Sequence, residues 1–175
     1  PVGNFPRVDR PITVRDVLTH HSGIPGDLMN GAFGIKYDKS FLDTLLAWLA
    51  NDSATYPPGY RWAYSNTAVA LLERVIENAS GRPFAEYSQD FLDSLGMAPA
   101  SYFRDNPDLL NRLSRAYIGD VDIGMLQLNV PSSGSIAASA NQMGHYLRML
   151  LNEGTLDGRV IVQPETFRAM IQVQN

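Results

Sequence analysis

The stretch YSNTAVALLERVIENASGRP, residues 64–83, carries the clearest structural signal in this chain. It predicts an extended entry followed by a helix that begins at residue 66 or 67 and continues to about Ala79. Gly81 is suited to the left-handed residue that ends a helix, and Pro83 to the first position of the next one. Four apolar side chains recur at helical spacing and predict the buried stripe: Val69, Leu72, Val75 and Ile76.

Three other helix starts have the form of a capping box, in which two side chains satisfy free backbone donors at the helix end. They are Thr13–Asp16, Ser40–Asp43 and Ser139–Gln142. After Ser40, helical spacing continues to about Ala50, through Phe41, Leu45, Trp48 and Leu49. After Ser139, we expect a helix that stops near Gly154 with these side chains inward: Met143, Tyr146, Leu147, Leu150 and Leu151.

The remaining segments predict short elements. One helix carries Phe84, Tyr87, Phe91 and Leu95, another starts at Pro107 and covers Leu109, Leu110 and Leu113, and a last one starts at Pro164. Asp157-Gly158 predicts a tight hairpin. Residues 115–130 predict a loop with one or two short strands. Taken together, the segments predict a mainly α chain with too few strand residues for a large sheet.

Composition narrows the function classes. The 175 residues suit one domain, with 45% apolar and 18% charged residues. A net charge of −4 without a run of Lys or Arg argues against a nucleic-acid groove or an anionic membrane surface. Cysteine is absent, which excludes disulfides, zinc thiolates and a cysteine nucleophile, and no stretch is long enough for a membrane span.

Histidine and serine offer weaker candidates. His20 and His21 are adjacent, so they point in different directions on a helix and make a poor metal pair. We expect no metal and no cofactor. Ser22 stands beside both histidines, but the sequence supplies no third group to orient a Ser/His pair, and a helix-ending turn is the better interpretation.

The tripeptide Tyr64-Ser65-Asn66 is the strongest candidate for chemistry. In an extended stretch, residues two apart project to the same side, so the phenol and the carboxamide would face one cleft while Ser65 points away. The helix that follows brings free N–H groups and a positive dipole end, which favour developing negative charge. An adjacent cation would stabilise the phenolate for proton transfer. The structural alternative is that Asn66 only caps the helix and Tyr64 only packs.

Several motifs, in order along the chain, resemble those of the serine beta-lactamase-like family, which includes penicillin-binding proteins, D-alanyl-D-alanine carboxypeptidases and class C beta-lactamases. Residues 12–25, ITVRDVLTHHSGIP, are similar to the family's ITIRHLLTHTSGLP, and Pro58-Gly59 with Tyr64-Ser65-Asn66 to its PG…YSN. Residues 71–81 resemble LLGxIIExxSG, residues 95–97 resemble PLGM, and residues 133–143 resemble PAGGLxSTAxDM. Together these matches cover nearly the whole chain.

The resemblance implies a helical region inserted between the pieces of an antiparallel sheet, and acyl transfer through a serine ester. Tyr64 would match the tyrosine that shuttles a proton with the lysine of a Ser-x-x-Lys motif. Asn66 would match the asparagine that hydrogen-bonds the substrate amide. Ser135 would line the cleft as a substrate-binding residue, although Gly134 and Ser135 equally suit a tight backbone turn.

No serine in these 175 residues has a lysine three positions on, and no Lys-Thr-Gly occurs. We therefore expect the nucleophile upstream and the carboxylate-binding strand motif downstream. Residues 1–175 would form a single partial domain, the helical region without its main sheet, and it would be inactive alone because covalent catalysis lacks its first step.

Two expectations concern the parent protein. It would be an enzyme that acts on D-alanyl peptides, beta-lactams or small esters; the alternative is a non-catalytic binding or interaction module with the same scaffold. Unpartnered apolar faces predict a homodimer. The resemblance further suggests a bacterial, exported or cell-surface protein, with a small-molecule or peptide substrate and no nucleic-acid partner.

Overall fold

The computed structural model describes residues 8–26, 30–34, 36–52, 54–125 and 127–174. Helices dominate this part of the chain: α1 (Val14–Leu18), α2 (Phe41–Leu49), α3 (Asn66–Ser80), α4 (Phe84–Ser94), α5 (Pro107–Leu110), α6 (Ala140–Leu151) and α7 (Pro164–Ile171). The strands are β1 (Phe33–Gly34), β2 (Ala116–Ile118), β3 (Val121–Gly124), β4 (Gln127–Leu128), β5 (Thr155–Leu156) and β6 (Arg159–Val160). A 3₁₀ turn spans Pro131–Ser133.

The strands form three separate antiparallel pairs, β1 with β4, β2 with β3 and β5 with β6. This confirms the prediction of a mainly helical structure with only small strand pairs. In the segment 115–130, the structure has three short strands rather than one or two. The β5–β6 hairpin turns at Asp157 and Gly158, whose φ angles of 48° and 77° are both positive, as this type of tight turn requires.

The chain divides into two compact units, one of residues 1–84 and 114–135, the other of residues 85–113 and 136–175. The interpretation of residues 1–175 as a single partial domain stays a prediction. The described helices contain no segment with the length and apolar character needed to cross a bilayer.

The first unit is built around α2 and α3. Phe41, Leu42, Leu45 and Leu49 form the inner face of α2. They share one cluster of buried side chains with Ile12, Val17, Ile24, Ala32, Ala68, Ala70, Leu71 and Val130. Truncating a fully buried side chain such as Leu45 to alanine costs roughly 2–5 kcal/mol.

The buried face of α3 differs from the predicted stripe. The buried residues are Thr67, Ala68, Ala70, Leu71 and Glu73. The four predicted residues, Val69, Leu72, Val75 and Ile76, are all only half-buried. The helix packs against α1, α2 and the 3₁₀ turn, so small and polar side chains on a second face become buried too.

Asn129 fixes the path of the chain before the 3₁₀ turn. Its backbone N–H donates to the carbonyl of Ala32 at 2.7 Å, and its side-chain amide donates to the carbonyl of Gly31 at 2.8 Å. Its amide oxygen accepts the N–H of Asp38 at 2.8 Å. These bonds extend the β1–β4 pairing and bring the 3₁₀ turn next to α3.

The second unit has its own core. It contains Leu92, Leu95, Met97, Ala100, Met149 and Leu156. The predicted inward face of α6 is wrong in part, because Leu147 and Leu151 are 54% and 83% exposed. The helix instead turns the side that carries the fully buried Met149 towards this core.

Two of the three predicted capping boxes are confirmed. Thr13 with Asp16 and Ser139 with Gln142 each make both reciprocal bonds. The box at Ser40 is wrong, because the hydroxyl and the N–H of Ser40 both donate to Oδ1 of Asp38, at 2.6 and 2.9 Å. Ser40 therefore bonds to Asp38, two residues before it, and not to Asp43 as the capping pattern predicts.

Asp16 does more than cap α1. Its carboxylate accepts two hydrogen bonds from the Arg10 guanidinium, at 2.7 and 2.8 Å, in addition to those from the N–H and hydroxyl of Thr13. The bond from Arg10 is the largest cause that holds the pKa of Asp16 well below its ordinary value. A depressed carboxyl pKa stabilises the fold above the ordinary pKa and loses that contribution as the pH falls below it.

We predict that Asp16→Asn lowers the free energy of unfolding at pH 7 by about 1–3 kcal/mol, because the buried side chain loses its charge-assisted bonds from Arg10 and Thr13. The difference from the natural protein should shrink below about pH 4, where the carboxylate of the unfolded chain takes up its proton. Urea denaturation at both pH values measures this. Asp43→Asn, in an exposed ion pair with Arg74, is the matched control and should change stability by under about 1 kcal/mol. Equal effects of the two substitutions would contradict the prediction.

Candidate active site

Tyr64 and Asn66 lie on the same side of the chain at the start of α3. The phenol of Tyr64 donates a hydrogen bond of 2.8 Å to Oδ1 of Asn66. The intervening Ser65 has an extended backbone, with φ −146° and ψ 107°, and its side chain is fully buried. The geometry expected from the alternation is therefore present, while the catalytic role of Tyr64 and the substrate-binding role of Asn66 stay predictions.

Ser65 anchors this entry to the helix from the buried side. Its hydroxyl oxygen accepts the N–H of Ala68 at 2.9 Å and so caps α3. The same hydroxyl donates to the carbonyl of Pro25 at 3.2 Å. The cap thus belongs to Ser65 rather than to Asn66, and the side chain of Asn66 is left for the contact with Tyr64.

The segment that ends at Gly26 also contacts the residues at the start of α3. Thr67 donates from its hydroxyl to the carbonyl of Gly26 at 3.1 Å. A Cβ atom added at Gly26 would lie 2.8 Å from the carbonyl oxygen of Tyr64, closer than real contacts allow. Gly26 is therefore needed for the close approach of two backbone segments.

Backbone hydrogen bonds continue this contact towards the N-terminal side. They join Ala63 N–H to His20 O at 2.8 Å, Gly59 N–H to His21 O at 2.8 Å, and Thr55 N–H to Gly23 O at 2.7 Å. Gly23 has a φ of 71°, and a Cβ there would lie 2.0 Å from the carbonyl oxygen of Tyr56. Only glycine fits this position without displacing the neighbouring segment.

His20 contacts Tyr64 directly, a role that sequence reasoning missed. Its ring centroid lies 4.6 Å from that of Tyr64, and 5.9 Å from that of Trp62 in an edge-to-face arrangement. Nδ1 accepts a long hydrogen bond of 3.4 Å from the N–H of Ser65, which requires that nitrogen to be unprotonated. Burial, and then the charge of His21, lower the pKa of His20, so the ring is neutral at neutral pH.

The backbone of His20 explains why the ring reaches Tyr64. Its φ of 57° is in the left-handed region, which non-glycine residues adopt rarely. The residue directly follows the end of α1, and the reversal directs its ring at the segment that precedes α3. The only sequence signal for this contact was the position of His20 within the motif of residues 12–25.

Ser135 and Ser133 have different surroundings. Ser135 is 4% exposed, and its N–H donates to the carbonyl of Pro131 at 3.0 Å after the 3₁₀ turn. Its described contacts do not include Tyr64 or Asn66, so its assignment as a substrate-binding residue stays a prediction. Ser133, which the sequence did not single out, donates from its hydroxyl to the backbone carbonyl of Asn66 at 3.0 Å.

The other candidates show structural roles. Ser22 is fully buried, and its hydroxyl oxygen accepts the N–H of Ile24 at 3.2 Å, a turn contact. Nδ1 of His21 is paired with the carbonyl of Thr19 at 2.8 Å. Within the described residues, no group of three or more His, Asp or Glu side chains is placed to hold a metal ion.

A surface depression in the second unit has a volume of about 550 Å³. Its lining is polar and contains the ion pair between Arg148 and Asp157. None of the residues predicted to act in chemistry lines it. We therefore place the candidate site at Tyr64 and Asn66, on chemical grounds.

The chemistry of this pair follows from its groups. The phenol holds its proton while it donates to Asn66, and it can pass that proton to a reacting atom. Asn66 uses its amide oxygen in this bond, and its amide nitrogen is a donor suited to a carbonyl. The N-terminal end of a helix of 15 residues adds a positive dipole beside both groups.

Comparison with known proteins identifies the family of this chain. The family model described as Beta-lactamase matches residues 2–173. Penicillin-binding protein 4* of Bacillus subtilis is 32% identical over 119 residues, which are 63% of this chain and 26% of that protein. The D-alanyl-D-alanine-carboxypeptidase/endopeptidase AmpH of Escherichia coli K12 is 27% identical over 147 residues, 81% of this chain and 37% of that protein.

A solved structure agrees with the sequence relatives. The octameric penicillin-binding protein homologue from Pyrococcus abyssi superposes on this chain with a TM-score of 0.68 at 27% identity. The matched region covers 93% of this chain and 39% of the homologue's chain. The chain spans at most 44% of the length of the curated relatives it matches. Because the family model covers nearly all of its residues, the chain belongs to the beta-lactamase family.

Proposed function

We propose that this chain is part of a serine hydrolase that works by acyl transfer on D-alanyl peptides, beta-lactams or small esters. In this proposal, Tyr64 shuttles a proton, Asn66 binds the substrate amide, and Ser135 is a further substrate contact. The observation that carries it is the hydrogen bond of 2.8 Å between the Tyr64 phenol and Asn66 at the N-terminal end of α3. Membership of the beta-lactamase family supports the reaction type.

The same proposal assigns the chain to the helical region of the fold. The nucleophile of the Ser-x-x-Lys motif and the main antiparallel sheet would be contributed by parts of the protein beyond these residues. The chain alone would then be inactive, since an acyl-enzyme needs a nucleophile. The share of the relatives that it covers supports this assignment.

The second candidate is a non-catalytic binding module on the same scaffold. It predicts an intact Tyr64–Asn66 pair in a protein that forms no covalent adduct. Labelling of the full-length protein with a fluorescent penicillin separates the two candidates. A covalent label supports the hydrolase, and its absence under conditions in which a known penicillin-binding protein is labelled supports the module.

We predict that Tyr64→Phe lowers the rate of penicillin acylation by about 10²–10⁴-fold, the usual contribution of a positioned proton-transfer group. Asn66→Ala should lower it by about 10²–10³-fold, as for the loss of one donor to a reacting carbonyl. Stopped-flow or gel-based labelling measures both rates. Tyr60→Phe makes the same substitution at a side chain that is 72% exposed and should leave the rate unchanged. A rate unaffected by Tyr64→Phe would refute the proton-shuttle role.

We also predict that His20→Asn slows acylation by about tenfold, because the phenol loses the ring that orients it, and 1 Å of displacement is enough for such losses. Asparagine tolerates the positive φ of this position, so the substitution tests the ring rather than the backbone. His21→Asn, at the neighbouring residue, is the control. The urea midpoint should fall for His20→Asn by an amount equivalent to about 0.5–1.5 kcal/mol, the value of one aromatic pair. Equal effects of the two variants would contradict the specific role of His20.

A last proposal concerns association. Large apolar side chains are exposed in both units, among them Leu18, Phe33, Leu151, Ile171 and Val173, at 63–83%. Extended apolar surface drives association, so we propose that copies of the chain dimerise through such faces. Light scattering at increasing concentration should show a dimer that weakens with Leu151→Lys, whereas Lys39→Glu should have no effect. A stable monomer at all concentrations is the result that refutes dimerisation.

A further inference from the structure

Glu73 is a buried acidic residue on the same face of α3 as Asn66. It is 3% exposed, and it lies seven residues, close to two helical turns, after Asn66. In the family pattern LLGxIIExxSG, glycine stands at the position that Glu73 occupies here. The pattern that residues 71–81 resemble therefore does not by itself imply a carboxyl group here.

Ser132 is the polar residue that faces this carboxyl. Its N–H and hydroxyl lie near enough to favour the ionised form of Glu73. Even so, Oε2 of Glu73 and Oγ of Ser132 are both buried and have no hydrogen-bond partner within the described residues. Two buried polar atoms on facing elements are costly to leave unpaired, so the state of one bears on the position of the other.

The same turn contacts the candidate site. Ser133, the residue after Ser132, donates from its hydroxyl to the backbone carbonyl of Asn66 at 3.0 Å. The turn Pro131–Ser133 packs against α3, with Ser133 bonded to the carbonyl of Asn66 and Ser132 close enough to Glu73 to affect its ionisation. Ser132 and Ser133 are adjacent, so a single peptide unit links the two contacts.

We propose that Glu73 is a positioning residue for Asn66, which acts through Ser132 to hold the turn Pro131–Ser133 against the start of α3. The inference rests on the proposed function, since it adds a residue that acts on the same site from two helical turns away. Glu73 does not touch the reacting atoms. Its part is to keep the Asn66 end of the helix in one place.

The charges around Glu73 make this contact sensitive to pH. Burial first, and then the negative charge of Glu77, raise the pKa of Glu73 to about 7, against the opposing effects of Ser132 and of Arg74. From the segment before α2, Tyr37 faces the same region, and burial and the charge of Glu73 raise its pKa to about 12. Glu73 thus changes its charge near neutral pH, while Tyr37 stays neutral.

The two forms of the carboxyl differ in what they offer Ser132. The carboxylate can accept from both the N–H and the hydroxyl of Ser132, whereas the neutral acid is a weaker acceptor. Burial disfavours this charge and so raises the pKa of Glu73, but it does not weaken the bonds that Ser132 offers to the charged form. We therefore expect the ionised form to hold the turn more firmly, and the hold to loosen as the pH falls through about 7.

The test compares penicillin acylation by the full-length protein from about pH 5.5 to about pH 8.5, where general acid–base catalysis gives readable profiles. We expect kcat/KM of the natural protein to rise as Glu73 ionises. Glu73→Gln should lose that limb, because its amide does not ionise although its oxygen can still accept from Ser132. Glu73→Leu should be slower by roughly tenfold at every pH, since it removes the contact with the turn altogether.

Glu77→Gln is the matched control, one turn further along α3. It should keep the limb but move it to lower pH, because a negative neighbour of Glu73 is removed. A limb that persists unchanged in Glu73→Gln would overturn the proposal. If Glu73→Leu does not fold, the comparison of the two glutamine variants still decides the question.

A second readout does not depend on activity. In NMR spectra of the full-length protein, the side-chain amide signals of Asn66 should shift with the titration of the Glu73 carboxyl, and should stop doing so in Glu73→Gln. If the protein forms no acyl-enzyme but these shifts are seen, the proposed function fails while the coupling stands. If acylation occurs and the Asn66 signals ignore the titration of Glu73, the coupling is refuted and the proposed function stands.

Discussion

Two backbone segments, residues 20–26 and 55–67, run against each other without room for a Cβ at either of two glycines. Gly23 meets the carbonyl of Tyr56, and Gly26 meets that of Tyr64. Hydrogen bonds from Ser65 and Thr67 to the second end of this contact place the start of α3. The candidate site is therefore built on main-chain geometry, and the side chains of Tyr64 and Asn66 project from a segment that these contacts hold in place.

The local features of the fold followed from the sequence. The Thr13 and Ser139 capping boxes, the left-handed Gly81 and the Asp157-Gly158 turn each depend on a few neighbouring residues, and the structure has all of them. Faces of helices were harder to predict. Leu147 and Leu151 have the spacing of core residues but lie exposed, while Glu73 is charged and lies buried. Which face is covered depends on the elements that pack against it, and the pattern within one helix does not contain that information.

Within the candidate site, too, the local features were predictable and the long-range contacts were not. The shared side of Tyr64 and Asn66 was predictable, because strand alternation acts over two residues. His20 and Ser133 lie 44 and 69 positions from Tyr64 along the chain, and only the folded structure brings them to it and to Asn66. Their contacts depend on a positive φ at His20 and on the anchoring of Asn129 before the 3₁₀ turn. Neither has a sequence pattern of its own.

The electrostatics of the site bear on how the proposed reaction would run. Tyr64 donates its proton to Asn66, and the ring beside it belongs to a histidine whose pKa is lowered by burial. Neither described contact supplies a positive charge at neutral pH, yet a phenol that shuttles a proton needs one nearby to stabilise the phenolate. In the proposed hydrolase, that charge would come from the lysine of the Ser-x-x-Lys motif. Without the lysine, Tyr64 remains a hydrogen-bond donor, which suits a binding module. With the lysine beside it, the same phenol becomes an acid–base group. The presence or absence of one cation therefore separates the two candidate functions.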